Sequence, residues 1–125
     1  MLAALTHSFD LAAHLGYRAP KPVKQSIEAG DLHWSDETGR VTVAGVAVLL
    51  RPREFRLLGL LMGNAGVVQT RGELLTKAWG GEFSVGKRTI DVHIRRLRMS
   101  LQPFGMDSWI QTVPTRGYRF YPSFN

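Results

Sequence analysis

The chain has 125 residues with no cysteine, and 16 Lys and Arg against 10 Asp and Glu give a net charge of +6. That length is one domain, and without cysteine there is no disulfide framework, thiolate zinc site or cysteine nucleophile. The longest apolar runs, Val46 to Leu50 and Leu57 to Met62, are too short to span a bilayer, whereas the basic excess favours a polyanionic partner, most commonly nucleic acid.

Met1-Leu2-Ala3-Ala4-Leu5 lacks the basic start of a secretory signal, so a cytoplasmic, membrane-free protein is expected. Leu2, Leu5, Phe9, Ala12 and Ala13 recur at helical spacing up to Gly16, which predicts a helix over 1–16. The following segment is basic and broken by Pro20 and Pro22, so it reads as an extended linker. We therefore set residues 1–26 apart as helix and linker, with a single domain over 27–125.

From Asp31 the pattern shifts to short strands. Leu32 and Trp34 alternate with polar neighbours, a turn follows at Asp36-Glu37-Thr38-Gly39, and Val41/Val43 and Val46/Val48 continue the alternation around Ala44-Gly45. This predicts a three-stranded antiparallel meander that must pack on helices to be stable.

Three helices are expected next. The first runs roughly from Pro52, suited to the opening helical position, to Gly63, with a stripe of Phe55, Leu58, Leu61 and Met62 broadened by Leu57. The second opens on Thr70-Arg71-Gly72-Glu73, a capping box in which the Thr70 hydroxyl and the Glu73 carboxylate each satisfy an otherwise orphaned N–H. It buries Leu74, Leu75, Ala78 and Trp79 and stops at Gly80-Gly81. The third spans about Lys87 to Leu101 ahead of Pro103. Trp109 to Val113, a turn at Pro114 to Gly117, and Tyr118 to Tyr121 then predict a closing β-hairpin.

The third helix carries the chemistry. Wound at about 100° per residue, it places Ile90, Ile94, Leu97 and Leu101 on a core face. Arg88, Val92, Arg95, Arg96 and Met99 fall opposite, flanked by Thr89, Asp91 and His93. A face shaped only for solubility would mix charge signs with Glu–Lys pairs; here arginine dominates and a valine sits among the cations. Arginine clamps guanine or phosphate through two parallel hydrogen bonds, and a valine methyl suits thymine. The hairpin adds Arg116 at its tip and Arg119, and a basic turn of that kind fits the minor groove. The alternatives are a sequence-independent architectural protein or a winged helix that binds protein.

An enzyme is not expected. The ten acids form no catalytic motif, His7, His14, His33 and His93 have no metal-ligand spacing, and no cofactor-binding fingerprint is present.

From about Gly30 to Phe120 the chain resembles the OmpR/PhoB-type winged-helix effector domains of bacterial two-component response regulators. The resemblance lies in Arg51-Pro52-Arg53-Glu54-Phe55-Arg56-Leu57-Leu58 and Thr70-Arg71-Gly72-Glu73-Leu74-Leu75. It is strongest in Arg88-Thr89-Ile90-Asp91-Val92-His93-Ile94-Arg95-Arg96-Leu97-Arg98 and Thr112-Val113-Pro114-Thr115-Arg116-Gly117-Tyr118-Arg119-Phe120. It implies an α+β winged helix-turn-helix: N-terminal antiparallel meander, three helices, C-terminal hairpin wing. It also implies bacterial transcription regulation by sequence-specific binding of double-stranded DNA. The helix from Lys87 would enter the major groove and the 109–121 wing the minor groove.

Carried over, Arg71, Arg88, His93, Arg95, Thr112 and Tyr118 would hold phosphates, with the Tyr118 hydroxyl free for that purpose. Thr89, Val92 and Arg96 would face base edges. The resemblance further implies head-to-tail pairs on direct repeats and an RNA polymerase contact through the 79–86 loop. Three departures from the family pattern stand out. Arg51 replaces the usual Ser or Thr cap, at a cost of about 1 kcal/mol. Gly86-Lys87 replaces a polar cap and an acid, and Lys87 there suits a phosphate. Pro114 occupies the wing position where some regulators carry a minor-groove arginine, so that role falls to Arg116 by local chemistry.

Overall fold

Residues with a period of two form a sheet, and residues with a period of 3.6 form the helices laid on it. The computed structural model describes residues 25–80, 86 and 88–124; the helix expected over 1–16 and the linker as far as residue 24 lie outside them, while Ser26, set at the end of that linker, opens the first strand. Strands β1 (Ser26–Ala29), β2 (Leu32–Ser35), β3 (Arg40–Val43) and β4 (Val46–Val48) form one antiparallel sheet in chain order. In its register Trp34 lies between Ile27 and Val41, and Leu32 opposite Val43. Leu32, Trp34, Val41, Val43 and Val48 are buried, while Val46 at the edge stays exposed.

The sheet has four strands where the sequence predicts three. Ser26–Ala29 alternates only between exposed and half-buried positions and has one large apolar residue, Ile27. Its own pattern is therefore too weak to announce a strand; pairing with β2 creates it.

Helices α1 (Pro52–Gly63), α2 (Arg71–Trp79) and α3 (Arg88–Leu101) follow. α1 has Arg51 at its N-cap with no side-chain cap, as expected. Both halves of the α2 capping box form: Glu73 N–H donates to the Thr70 hydroxyl at 3.0 Å, and Thr70 N–H to the Glu73 carboxylate at 2.8 Å. Left-handed Gly80 terminates the helix. Two 3₁₀ turns, Gln102–Phe104 and Asp107–Trp109, lead into β5 (Ile110–Val113), which pairs antiparallel with β6 (Gly117–Phe120).

One core joins the layers. Leu57, Leu58 and Leu61 of α1, Leu74 of α2, Ile90, Ile94, Leu97 and Leu101 of α3, and Phe120 of β6 are all essentially inaccessible. Trp34 stacks on Phe55 with ring centroids 4.7 Å apart and donates its indole N–H to the Phe55 carbonyl at 2.9 Å. Gly59 lets this ring approach, because a Cβ there would collide with the Trp34 indole. Gly59→Ala is therefore expected to destabilise by about 1–2 kcal/mol, overpacking outweighing alanine's better helix propensity. A thermal melt that shows stabilisation would refute this.

Candidate nucleic-acid interface

α3 is positioned by its buried face. Ile90, Ile94, Leu97 and Leu101 fill the core, which turns Arg88, Val92, Arg95, Arg96 and Met99 into solvent. Val92 is 48% and Met99 60% exposed, so the apolar side chains amid the arginines are available for contact. The side chains of Arg88, Arg95 and Arg96 form no hydrogen bond or ion pair among the described residues. Thr89 is half-buried in the first turn, and Lys87 lies outside the described residues.

The hairpin stands beside this helix. Its tip is a turn in which Thr115 takes a positive φ of 63° and Arg116 is exposed. Arg119 Nε donates to Gln111 Oε1 across the hairpin at 2.8 Å. β6 is held on its other side as well: Tyr118 N–H donates to the Gln69 carbonyl at 3.0 Å and Gln69 N–H to the Tyr118 carbonyl at 2.8 Å. The wing is thereby pinned to the turn between α1 and α2. Gly117, at φ 148°, permits this approach, since a Cβ would collide with the Gln69 carbonyl oxygen.

Four of the residues assigned to phosphates already have protein partners. Tyr118 is buried, and its hydroxyl donates to Asp91 Oδ1 at 2.5 Å while accepting from Arg71 Nη2 at 3.3 Å. The expectation of a free hydroxyl is therefore corrected; α3 presents an acid to it. Arg71 Nε donates to the same oxygen at 2.6 Å, and its guanidinium lies 5.0 Å from the centre of the Tyr118 ring. His93 Nδ1 donates to Glu54 Oε2 at 2.5 Å, with His93 also edge-on to Trp79 at 5.1 Å. Arg98 Nη2 donates to Thr112 Oγ1 at 2.8 Å, which leaves the exposed Thr112 hydroxyl able to donate outward.

The sequence reading gave no role to Glu54, Asp91 or Arg98. Glu54 is 2% exposed, and its second oxygen, Oε1, has no hydrogen-bond partner. It lies at helical spacing from Leu57, Leu58 and Leu61, so the periodicity of α1 already marked it as a buried acid. Arg98 donates from Nε and Nη2 to the Ile110 carbonyl, at 3.0 and 2.7 Å, and so ties α3 to β5. Arg53 and Arg56 both donate to the Ala78 carbonyl, at 3.2 and 3.0 Å, where cations complement the C-terminal end of α2.

Burial opposes ionisation of Asp91, but the Tyr118 hydroxyl and the Arg71 guanidinium outweigh it and hold the carboxyl below its ordinary range. Burial and Asp91 together push the Tyr118 hydroxyl up. A carboxylate depressed in this way stabilises the fold above its unfolded titration range, and that contribution fades as the pH falls through the depressed value.

Comparison with known proteins gives the same picture. Residues 45–120 match the family model described as transcriptional regulatory protein, C terminal. The chain is 40% identical over 106 residues to the phosphate regulon transcriptional regulatory protein PhoB of Escherichia coli K12, covering 85% of this chain and 46% of that protein. Against PhoB of Pseudomonas aeruginosa it is 41% identical over 110 residues, covering 88% and 48%. The chain thus spans just under half the length of these regulators.

Among solved structures, the Klebsiella pneumoniae RstA DNA-binding domain in complex with the RstA box superposes with a TM-score of 0.68 at 31% identity, over 79% of this chain and 99% of that one. The DNA-binding domain of CpxR from E. coli gives 0.69 at 27% identity, over 80% and 99%. Among the described residues no helix is long and apolar enough to cross a membrane. The chain belongs to the OmpR/PhoB-type family of transcriptional regulators and carries that family's C-terminal winged-helix DNA-binding domain.

Proposed function

We propose that this domain reads a double-stranded DNA site with α3 in the major groove and the tip of the wing in the minor groove, regulating transcription from bacterial promoters. One observation carries the reading: an exposed ridge of Arg88, Val92, Arg95 and Arg96, presented by a helix whose opposite face is locked in the core. Arg88 and Arg95 hold phosphates, and Lys87 is assigned the same role. Thr89, Val92 and Arg96 face base edges, and Arg116 reaches the minor groove, where negative potential favours arginine.

Family membership supports three further elements of the proposal. Two copies bind direct repeats head to tail, the 79–86 segment contacts RNA polymerase, and the domain acts as a binding module in the cytoplasm without a catalytic step.

Selection from a random duplex pool tests the reading. Specific recognition predicts enrichment of a site bound about 10³-fold or more tightly than unrelated DNA, in direct repeats. Uniform recovery would mark a sequence-independent binder, and absence of binding a protein-interaction module. Arg96→Ala should cost about 1–3 kcal/mol on the enriched site and relax one base position. An equal loss on every sequence would make Arg96 a phosphate contact instead.

A further inference from the structure

We propose that Asp91 is a positioning residue for DNA recognition: it locks the wing to the recognition helix, and so raises discrimination between the preferred site and other DNA. The inference deepens the proposed function and rests on it. α3 carries four arginines and a single acid, and the Asp91 side chain is 43% exposed on a helix meant to approach phosphates. A negative charge there opposes binding to every duplex, so its presence calls for a compensating role.

The geometry supplies one. A single carboxylate oxygen gathers Arg71 from the start of α2 and the Tyr118 hydroxyl from β6. Farther along α3, Arg98 grips β5 through the Ile110 carbonyl and the Thr112 hydroxyl. Each strand of the hairpin is therefore fastened to the same helix, one by an acid and one by a base. Between the two fastenings, the Arg71 and Arg98 guanidiniums lie 5.0 and 5.6 Å from the centre of the Tyr118 ring.

The consequence concerns ordering. With both strands held, Arg116 moves as one body with the face of α3, and the spacing between major-groove and minor-groove contacts is set before DNA arrives. A site of matching spacing gains, because no ordering cost is incurred on binding. Unrelated DNA, held through its phosphates, gains nothing from a fixed spacing. Asp91 also keeps the Arg71 guanidinium engaged, withholding one cation from indiscriminate phosphate contact.

The test uses the full chain, the duplex enriched from a random pool by the wild-type protein, and a scrambled duplex of the same length. Asp91→Asn keeps the shape but removes the charge that makes both hydrogen bonds strong. Affinity for the enriched duplex should fall and that for the scrambled duplex rise, lowering their ratio about tenfold or more. The salt slope on scrambled DNA should steepen by about one unit as Arg71 is released. Tyr118→Phe keeps the ring between its two guanidiniums, leaves the net charge alone and removes the hydroxyl; the ratio should fall here too. In both variants the β5–β6 amides should exchange faster without DNA.

Equal losses on both duplexes, with an unchanged ratio, would reduce Asp91 to a stability element. Equal gains would reduce it to a charge. An unchanged ratio and unchanged exchange in Tyr118→Phe would overturn the proposal outright. Should the wild-type chain enrich no sequence, the proposed specificity fails, and hairpin exchange alone still decides whether the clasp exists.

Discussion

Gly117→Ala is expected to destabilise the domain by about 3 kcal/mol or more, from a collision with the Gln69 carbonyl oxygen added to the strain of φ 148°. Neither partner yields easily, because both are backbone. β6 would have to leave the Gln69 bridge, and with it would go the Tyr118 amide and carbonyl hydrogen bonds and the seating of Phe120 in the core. For a domain of this size the melting temperature should fall by roughly 10–20 °C, and specific binding should be lost with the wing. Gly39→Ala serves as the control: its φ is also positive, at 67°, but a Cβ there meets nothing within 4 Å. That variant should lose only about 1 kcal/mol. Equal losses in the two would show that conformational strain, not the close approach to Gln69, accounts for Gly117.

His93→Ala should be nearly as damaging, and without DNA present. The Glu54 carboxylate is almost wholly buried, one of its oxygens is already unpartnered, and His93 supplies the other with its hydrogen bond. Removing the histidine leaves that buried oxygen without its hydrogen bond, a desolvation cost of about 1–3 kcal/mol or more. The double replacement His93→Leu with Glu54→Leu removes both polar groups together and should recover most of the loss, since well-packed apolar residues replace buried pairs at little cost. Denaturant unfolding of the three proteins decides the matter. If His93→Ala keeps wild-type stability and only weakens DNA binding, then His93 serves phosphate alone and the Glu54 contact is incidental.

These outcomes also mark where sequence reading succeeds. The capping box of Thr70 and Glu73, the Pro52 start and the core stripe of α3 are visible because each depends on residues within a turn or two of one another. The exposed ridge of Arg88, Val92, Arg95 and Arg96 follows from the same periodicity: once Ile90, Ile94 and Leu97 face the core, the opposite side has one direction left. Partnerships across elements are a different matter. Asp91 reaches Arg71 and Tyr118, which are 20 and 27 residues away, and His93 reaches Glu54 39 residues back. A polar side chain on a basic face looks available until its distant neighbour is known, which is why the Tyr118 hydroxyl reads as free and the partners of Arg71, His93 and Thr112 do not show in the sequence. Glu54 is the exception, because its place on the apolar stripe of α1 was already written in the spacing. The stripe itself shifts slightly: Gly59 joins the buried side while Phe55 stays half-buried, because the Trp34 ring stacks on Phe55 and claims the space over Gly59.

The bridge between Gln69 and Tyr118 bears on the order in which the domain acquires its structure during synthesis. Residues 49 positions apart must meet to make it, and such non-local pairing is slow to form because loop closure precedes any gain from the contact. Until residue 120 has been made, the turn between α1 and α2 lacks the strand that accepts the amides of Gly66 and Gln69, and the hydrophobic pocket that receives Phe120 lies open. A nascent chain that stops short of residue 110 therefore carries every arginine of the ridge on a helix that lacks its ties to both wing strands, through Asp91 and Arg98.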